Sequence, residues 1–337
     1  MASIKHQIAS FMRKNMEKTW LYGLLVKLNL VVFHFEKREH RKRFGNKNPD
    51  KIFYVIRGAG KEAGLFGLYI SALNEVYYSL EQGWIPIVDF TDGRTQYNEE
   101  FPVRGDVWNA WEYYFEQPQS EYSLDEIFLS KNVILSGWRL KNNKVTKSCI
   151  WNSKKLTNEK DIQKIYDFIS EHGKLKPDVI KKILESKERY FGNKKNVLGV
   201  FVRGTDYLAF KPKGHQIQPP LEDVISKIRY FLEIHEDIDG IFVETEDESI
   251  YRRLKNEFGE MIFTNQSNRI KDYSGKEYIA NILQENKYER GLQYLVATAL
   301  LAECKYLVTT RAGGSDVALV INNNRYADKY IFDLGIY

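Results

Sequence analysis

Short apolar runs alternate with segments of helical periodicity from residue 52 onward, and this alternation constrains the fold more than any other feature of the chain. Each run has the length of one buried strand, and the segments between them include runs long enough to form helices. Strands that alternate with helices are typical of parallel sheets covered by helices. The sequence therefore predicts a doubly wound α/β fold. The strand-like runs are residues 52–56, 85–90, 132–137, 197–204, 240–245 and 305–310.

The domain organisation follows from length and from one polar break. A chain of 337 residues suits two domains of roughly 150 residues each. The break is "GNKKN" at 192–196, so we predict a helical segment, basic and apolar, over 1–48, an α/β domain over 49–190 and a second over 191–337. Ligands of such sheets bind at the carboxyl ends of the strands, which predicts a site in the cleft between the domains.

The N-terminal segment leaves two interpretations open. Residues 20–35 form the most apolar window, but this run carries Lys27 and Asn29 and is shorter than the ~20 residues that a membrane span needs. A basic stretch follows it, so residues 20–43 could lie on an anionic membrane surface. Alternatively, the segment is a helix docked on the core with solvated charges behind it. Without a cleavage-site pattern, we expect a cytoplasmic protein, peripheral on the inner face of the membrane under the first interpretation.

Composition disfavours several classes of function. The formal net charge is only +5, and the one basic cluster lies near the N-terminus, which argues against a nucleic-acid-binding protein. Cys149 and Cys304 are too far apart and too different in context for a disulfide framework or a metal-ligand pair. Cys304 lies in an apolar run, where we expect a buried structural thiol.

Common cofactor motifs do not occur in the sequence. The glycine-rich stretch 58–67 does not have the G-x-G-x-x-G spacing, and there is no P-loop, H-E-x-x-H or G-x-S-x-G motif. The one D-x-D sequence, Asp237-Ile238-Asp239, precedes a predicted strand instead of following one, so we interpret it as a surface loop. We therefore expect no metal and no cofactor.

Polar residues follow three of the predicted strands. Arg203 and Arg311 could bind phosphate oxygens through paired hydrogen bonds. The stretch 313–315, "GGS", opens a helix whose first N–H groups make an anion site, so a nucleoside diphosphate fits this chemistry. Glu246 or Asp247 could bind a nucleobase edge, although either acid could equally begin the next helix.

The same three stretches resemble the GDP-fucose-dependent fucosyltransferase superfamily, which includes α1,2-, α1,6- and protein O-fucosyltransferases. "FVRGTDY" at 201–207 matches the Arg, Thr and Asp of the first α1,6 motif. "FVETEDESIYRRL" at 242–254 and "YLVTTRAGGSDVALVI" at 306–321 are similar to the second and third motifs. The resemblance covers mainly residues 197–321.

The resemblance implies a GT-B-like fold with two Rossmann-like domains, the first binding the acceptor and the second the nucleotide sugar, and no required metal. It implies that Arg203 binds the β-phosphate and that Glu246 or Asp247 binds guanine. The implied donor-binding set is Arg203, Gly204, Thr205, Thr245, Glu246, Asp247, Thr310, Arg311, Gly313, Gly314, Ser315 and Asp316. The implied sugar or acceptor side is Arg57 with Gly64, Leu65, Phe66 and Gly67, and His215 is the histidine best placed beside the cleft.

The expected activity is inverting transfer of L-fucose from GDP-fucose to a glycan hydroxyl, free or lipid-linked, in bacterial surface-polysaccharide synthesis. Asp206 is the predicted general base, with Glu62 or Asp89 as alternatives, and Arg203 and Arg311 are the predicted phosphate stabilisers. The alternatives are a glycosyltransferase that uses another nucleotide sugar and a carbohydrate-binding protein without catalysis. The aromatic residues Trp108, Trp111, Tyr113 and Tyr114 could stack on acceptor sugars or belong to the core.

Overall fold

The structure is a computed structural model that describes residues 38–337 apart from short gaps. The gaps are residues 59, 61–62, 92, 94, 139–144, 146–148, 153–155, 157, 266–268, 277–281 and 283–285. The apolar window 20–35 and Glu62 therefore lie outside the described residues.

The first sheet has four strands in the order β1-β4-β2-β3. The central strand β2 is parallel to both of its neighbours, and β1 is antiparallel to β4 at one edge. Every residue of β2 is buried, which explains its unbroken apolar sequence "FYVI". The strands are β1 (His40–Lys42), β2 (Phe53–Ile56), β3 (Ile85–Val88) and β4 (Val133–Leu135).

The second sheet has five strands, all parallel, in the order β7-β6-β5-β8-β9. The chain moves outward from β5 to β7 on one side and from β8 to β9 on the other, so the strand order reverses between β5 and β8. Ligands of open α/β sheets bind at such a reversal, at the carboxyl ends of the strands. The strands are β5 (Val197–Phe201), β6 (Gly240–Glu244), β7 (Ile262–Phe263), β8 (Tyr306–Thr310) and β9 (Asp328–Phe332).

Residues typical of helix ends are found where the helices begin and end. The chain places Pro177 in the first turn of α4 and Gly192 after its end, and the Asp247 carboxylate caps α7. The helices are α1 (Leu65–Glu81), α2 (Leu124–Ile127), α3 (Glu159–His172), α4 (Pro177–Phe191), α5 (Thr205–Phe210), α6 (Leu221–Ile234), α7 (Glu248–Phe258), α8 (Lys287–Ala302) and α9 (Gly313–Asn322).

One cluster of buried apolar side chains extends across both sheets. It includes Tyr54 of the first sheet, Phe201 of the second and Leu300 of α8. Helix α8 packs against α4 and α9, and α9 packs in turn against α1 and α3. The two sheets are therefore held together by α8 and α9, while the division into an acceptor and a donor domain near residue 190 stays a prediction.

The α/β class is confirmed, and the predicted strands occur where their patterns placed them. One part of the predicted N-terminal helical segment is wrong, because residues 40–42 form the edge strand β1. Its pairing with β4 outweighs local preference, and the exposed side chains of Arg41 and Lys42 suit an edge strand. The sequence did not reveal β7 or β9. Across the described residues, the helices are all too short or too polar to cross a membrane.

Candidate nucleotide-binding site

The carboxyl edges of the two sheets meet at the first turns of α1 and α9. Helix α1 follows β2 of the first sheet, and α9 follows β8 of the second. A Cβ atom placed on Gly313 would lie 3.3 Å from Cβ of Phe66 and 3.9 Å from the backbone nitrogen of Gly67. Two helix N-termini, each with a partial positive charge, therefore lie side by side.

Several N–H groups in these first turns have no protein acceptor. The Leu65 N–H donates to the Tyr97 hydroxyl at 3.0 Å, and the Ala312 N–H donates to Oγ of Ser315 at 2.9 Å. In the part of the chain that the structure describes, no group accepts a hydrogen bond from the N–H of Gly67, Gly313 or Gly314. Gly67 is also exposed, so these N–H groups are available to an anion from outside.

Arg203 lies beside these helix ends and is paired with two carboxylates. Its Nη2 is 3.2 Å from Oδ1 of Asp206, and its Nη1 is 3.5 Å from Oε2 of Glu246. The guanidinium also lies 4.5 Å from the centre of the Tyr207 ring. Burial acts to lower the pKa of Arg203, but the nearby negative charges, led by Glu246, raise it above its ordinary value. Arg203 is therefore a permanent cation whose side chain is 17% exposed.

Glu246 holds the turn that carries Arg203. Its Oε1 accepts hydrogen bonds from the Gly204 N–H and the Thr205 hydroxyl, both at 2.9 Å. Thr205 has a φ of 44°, which is strained for a β-branched residue. A Cβ on Gly204 would lie 2.7 Å from Oδ2 of Asp247, so a larger residue would push the Asp247 side chain out of place. The predicted close turn at Gly204 is thus present.

Asp247 is a helix cap. Its Oδ1 accepts hydrogen bonds from the N–H groups of Ser249 and Ile250 at the start of α7. Thr245, at the exit of β6, is fully buried and accepts a hydrogen bond from the Asp247 N–H at 3.3 Å. The cap interpretation therefore holds for Asp247, while contact of Glu246 or Asp247 with a nucleobase stays a prediction.

Arg311 and Asp316 form a buried ion pair beneath the start of α9. Nη1 of Arg311 lies 3.3 Å from Oδ1 of Asp316, and both side chains are at least nine-tenths buried. Burial raises the pKa of Asp316 to about 7, although Arg311 acts to lower it. Ser315 and Thr310 are buried as well, and the Ser315 hydroxyl donates to the carbonyls of Thr310 and Ala312. These residues shape the turn into α9.

The residues predicted for the sugar side divide into two places. Gly64, Leu65 and Phe66 lie at the start of α1, against α9. Arg57 is buried at the exit of β2, where its Nε and Nη2 donate to the Ser136 carbonyl at 3.2 and 2.8 Å. His215 is exposed, with its Nδ1 3.2 Å from the Tyr207 hydroxyl. His215 is thus connected to Arg203 through Tyr207.

Three residues of the site were missed by sequence reasoning. The Tyr97 hydroxyl accepts a hydrogen bond from the Leu65 N–H, and the Arg290 guanidinium lies 5.3 Å from the Tyr97 ring centre. Tyr294 of α8 packs edge-on against Phe66, with 4.9 Å between ring centres. These side chains come from a loop and a helix that carry no strand-exit signal, so only the tertiary structure identifies them.

The aromatic segment before residue 116 separates into core and surface. Trp111, Tyr113 and Tyr114 are buried, which confirms the core interpretation for these three. Trp108 and Phe101 are 52% and 77% exposed. Phe101 borders an open groove of about 700 Å³ between residues 99–104 and 286–289. Stacking of Trp108 on a sugar stays a prediction.

The D-x-D sequence and Cys304 both lie where their contacts support the fold. Asp237 accepts hydrogen bonds from Lys305 and Tyr306, and Asp239 accepts from the N–H groups of 195 and 196. All of these lie at the amino ends of the strands, opposite the candidate site. Cys304 is buried, and burial raises the pKa of its thiol, so it stays protonated. Over the described residues, His, Cys, Asp and Glu side chains do not gather into a group that could hold a metal ion.

Comparison with known proteins finds similarity only among solved structures. No protein-family model matches the chain, and no curated protein matches its sequence. Similar structures include NodZ alpha-1,6-fucosyltransferase soaked with GDP-fucose, at 15% identity and a TM-score of 0.47, over 80% of this chain and 93% of that one. NodZ from Bradyrhizobium has 16% identity and a TM-score of 0.46 over the same shares. A mutant of Arabidopsis thaliana FUT1 in complex with GDP has 11% identity and a TM-score of 0.43, over 83% of this chain and 70% of that one.

Proposed function

We propose that this protein is an inverting glycosyltransferase that transfers a sugar from a nucleoside diphosphate to a glycan hydroxyl, with GDP-fucose as the donor. The proposal rests on one observation: the N-termini of α1 and α9 lie side by side, next to Arg203. A diphosphate needs several hydrogen-bond donors and local positive charge, and this place supplies both.

The N–H groups are the main support for the diphosphate. Arg203 is already balanced by Asp206 and Glu246, so the guanidinium does not by itself make the local charge positive. The N–H groups of Gly67, Gly313 and Gly314 have no acceptor among the described residues, so their partial positive charge is not balanced in this way. We place the phosphates across these two helix ends, with Arg203 at their side and Arg311 beneath them.

Asp206 is the proposed general base. Its carboxylate is buried at the edge of the site, where Arg203 fixes its orientation. In the transfer, the acceptor oxygen bonds to the anomeric carbon while the bond from that carbon to the diphosphate oxygen breaks. The electron pair leaves with the diphosphate, and Asp206 takes the hydroxyl proton. The helix N-termini and Arg203 stabilise the charge that develops on the leaving group.

The choice of guanine and L-fucose rests on the sequence resemblance. The same source supplies the role in bacterial surface-polysaccharide synthesis and the binding of guanine by Glu246 or Asp247. We place the acceptor in the groove beside Phe101, because an exposed aromatic ring flanked by charged side chains suits a sugar. Contact with a membrane through residues 20–43 is also a proposal, to which the exposed Arg41, Lys42 and Arg43 would contribute.

Calorimetry with GDP, UDP, CMP and ADP, in the absence of metal, tests the proposal. We expect binding of GDP above the other three nucleotides, and tighter binding of GDP-fucose than of GDP. Preference for UDP or CMP would keep the reaction class and change the donor. A protein that binds glycans and none of the nucleotides would be a carbohydrate-binding protein, and the proposal would fail.

A further inference from the structure

Tyr294 lies directly over the start of α9. A Cβ atom on Gly314 would lie 2.5 Å from the Tyr294 hydroxyl oxygen, which is closer than any real contact of a Cβ. Glycine at 314 is therefore required for the phenol to reach this position. The Tyr294 ring also packs edge-on against Phe66 of α1, with 4.9 Å between ring centres. The Tyr294 hydroxyl thus lies where the two helix N-termini meet.

The Tyr294 hydroxyl donates to no acceptor in the described part of the protein. Three buried tyrosines differ in this respect: the hydroxyls of Tyr69, Tyr114 and Tyr326 donate to the carbonyls of Gly173, Tyr288 and Leu301 at 2.9 to 3.0 Å. Burial raises the pKa of Tyr294, while Arg203 acts to lower it, so the group keeps its proton and remains a hydrogen-bond donor. A donor without an acceptor beside open N–H groups is what an anion site would use.

We propose that the Tyr294 hydroxyl donates a hydrogen bond to a phosphate oxygen of the bound nucleoside diphosphate, next to the N–H groups of Gly313 and Gly314. The inference rests on the proposed function and adds to it a residue that contacts the substrate. Tyr294 stands on α8, whose packing against α4 and α9 holds it in place. The phenol therefore presents its donor without moving.

Tyr294→Phe tests this contact because it removes one oxygen and keeps the ring packed on Phe66. The measurement is the Kd of the full-length protein for GDP and for guanosine, by calorimetry, together with the thermal unfolding midpoint without ligand. We expect GDP to bind about tenfold more weakly or worse, since a hydrogen bond to a charged group is lost. Guanosine affinity and the unfolding midpoint should not fall.

Tyr69→Phe is the matched control. It also removes a buried phenol oxygen, but one that is bonded to the Gly173 carbonyl away from the site. It should lower the unfolding midpoint and leave the Kd for GDP unchanged. An unchanged Kd for GDP in Tyr294→Phe would overturn the inference, and so would an equal loss of guanosine affinity. A wild-type protein that binds no nucleotide would instead refute the proposed function, and the inference with it.

Discussion

Arg57 and Arg203 occupy corresponding places in the two sheets, yet their partners differ in kind. Each follows a buried parallel strand, and each is followed by glycine. Arg57 donates to the carbonyl of Ser136, at the end of the neighbouring strand β4. Arg203 is paired with the carboxylates of Asp206 and Glu246 on the edge of the site.

The difference shows which arginine can exchange partners. The Ser136 carbonyl belongs to the backbone of the first sheet, so Arg57 ties two strand ends together. The carboxylates beside Arg203 belong to Asp206 in the short helix α5 and to Glu246 at a strand exit, and Arg203 keeps part of its surface exposed. Arg203 is therefore suited to bind a ligand, and Arg57 is suited to hold the fold. The following predictions test this division.

The largest expected effect is on transfer activity in Arg203→Ala. We expect at least a 100-fold loss of transfer from GDP-fucose, because the leaving diphosphate loses the guanidinium that we place at its side. Arg203→Lys keeps the charge that balances Asp206 and Glu246, so it should fold normally and lose less activity. Steady-state kinetics and circular dichroism on both variants provide the test. Wild-type activity in Arg203→Ala would remove the distinction between the two arginines.

Arg57→Ala should affect stability most. Removing its side chain leaves the Ser136 carbonyl without these donors, which we expect to lower the free energy of unfolding by about 2 kcal/mol. Urea denaturation measures this loss, and Arg203→Lys serves as the comparison. If Arg57 faces the sugar, affinity for GDP-fucose would also fall relative to GDP.

Glu75→Gln should change how stability depends on pH. Glu75 is buried in α1, and burial raises its pKa to about 8, while hydrogen bonds from Ser136 and Tyr54 act to lower it. The native state therefore holds a proton that the unfolded chain releases above the ordinary glutamate pKa of 4.5. Stability should fall as pH rises from 5 to 8, by up to about 1.4 kcal/mol per pH unit.

Urea denaturation at several pH values compares Glu75→Gln with the wild type. The amide cannot ionise, so the variant should lose this slope and become the more stable protein at pH 8. An identical pH profile in the two proteins would mean that Glu75 is charged in the native state, with Arg57 as its counter-ion.

The smallest expected effect is in Gly67→Ala. A Cβ here would contact only the side chain of Ala63, so alanine should stabilise α1 by about 0.5 to 1 kcal/mol. The added methyl group would nevertheless obstruct an anion at the helix end, so GDP should bind more weakly. Ser226→Ala, at an exposed position of α6, should increase stability without loss of affinity for GDP. Greater stability with unchanged GDP affinity in Gly67→Ala would place the phosphates elsewhere.

Much of the candidate site could be predicted from local sequence. The strand exits that carry Arg203, Glu246 and Arg311 follow apolar runs whose period identifies them as strands. Gly204 and the cap at Asp247 also depend on neighbours near in sequence or on the adjacent parallel strand. Parallel strands bring their carboxyl ends to one edge, so position along the chain sufficed to group these residues.

Only the tertiary structure decided which helix ends and which partners meet. The contact of Gly313 with Phe66, and the position of Tyr294 over Gly314, join segments that no local pattern connects. The same applies to Arg57, whose sequence context matches that of Arg203 and whose partner Ser136 lies on another strand. Periodicity shows which face of an element is buried. Packing between distant elements determines what that face touches, and this packing is what gives Arg57 a backbone carbonyl and Arg203 two carboxylates as partners.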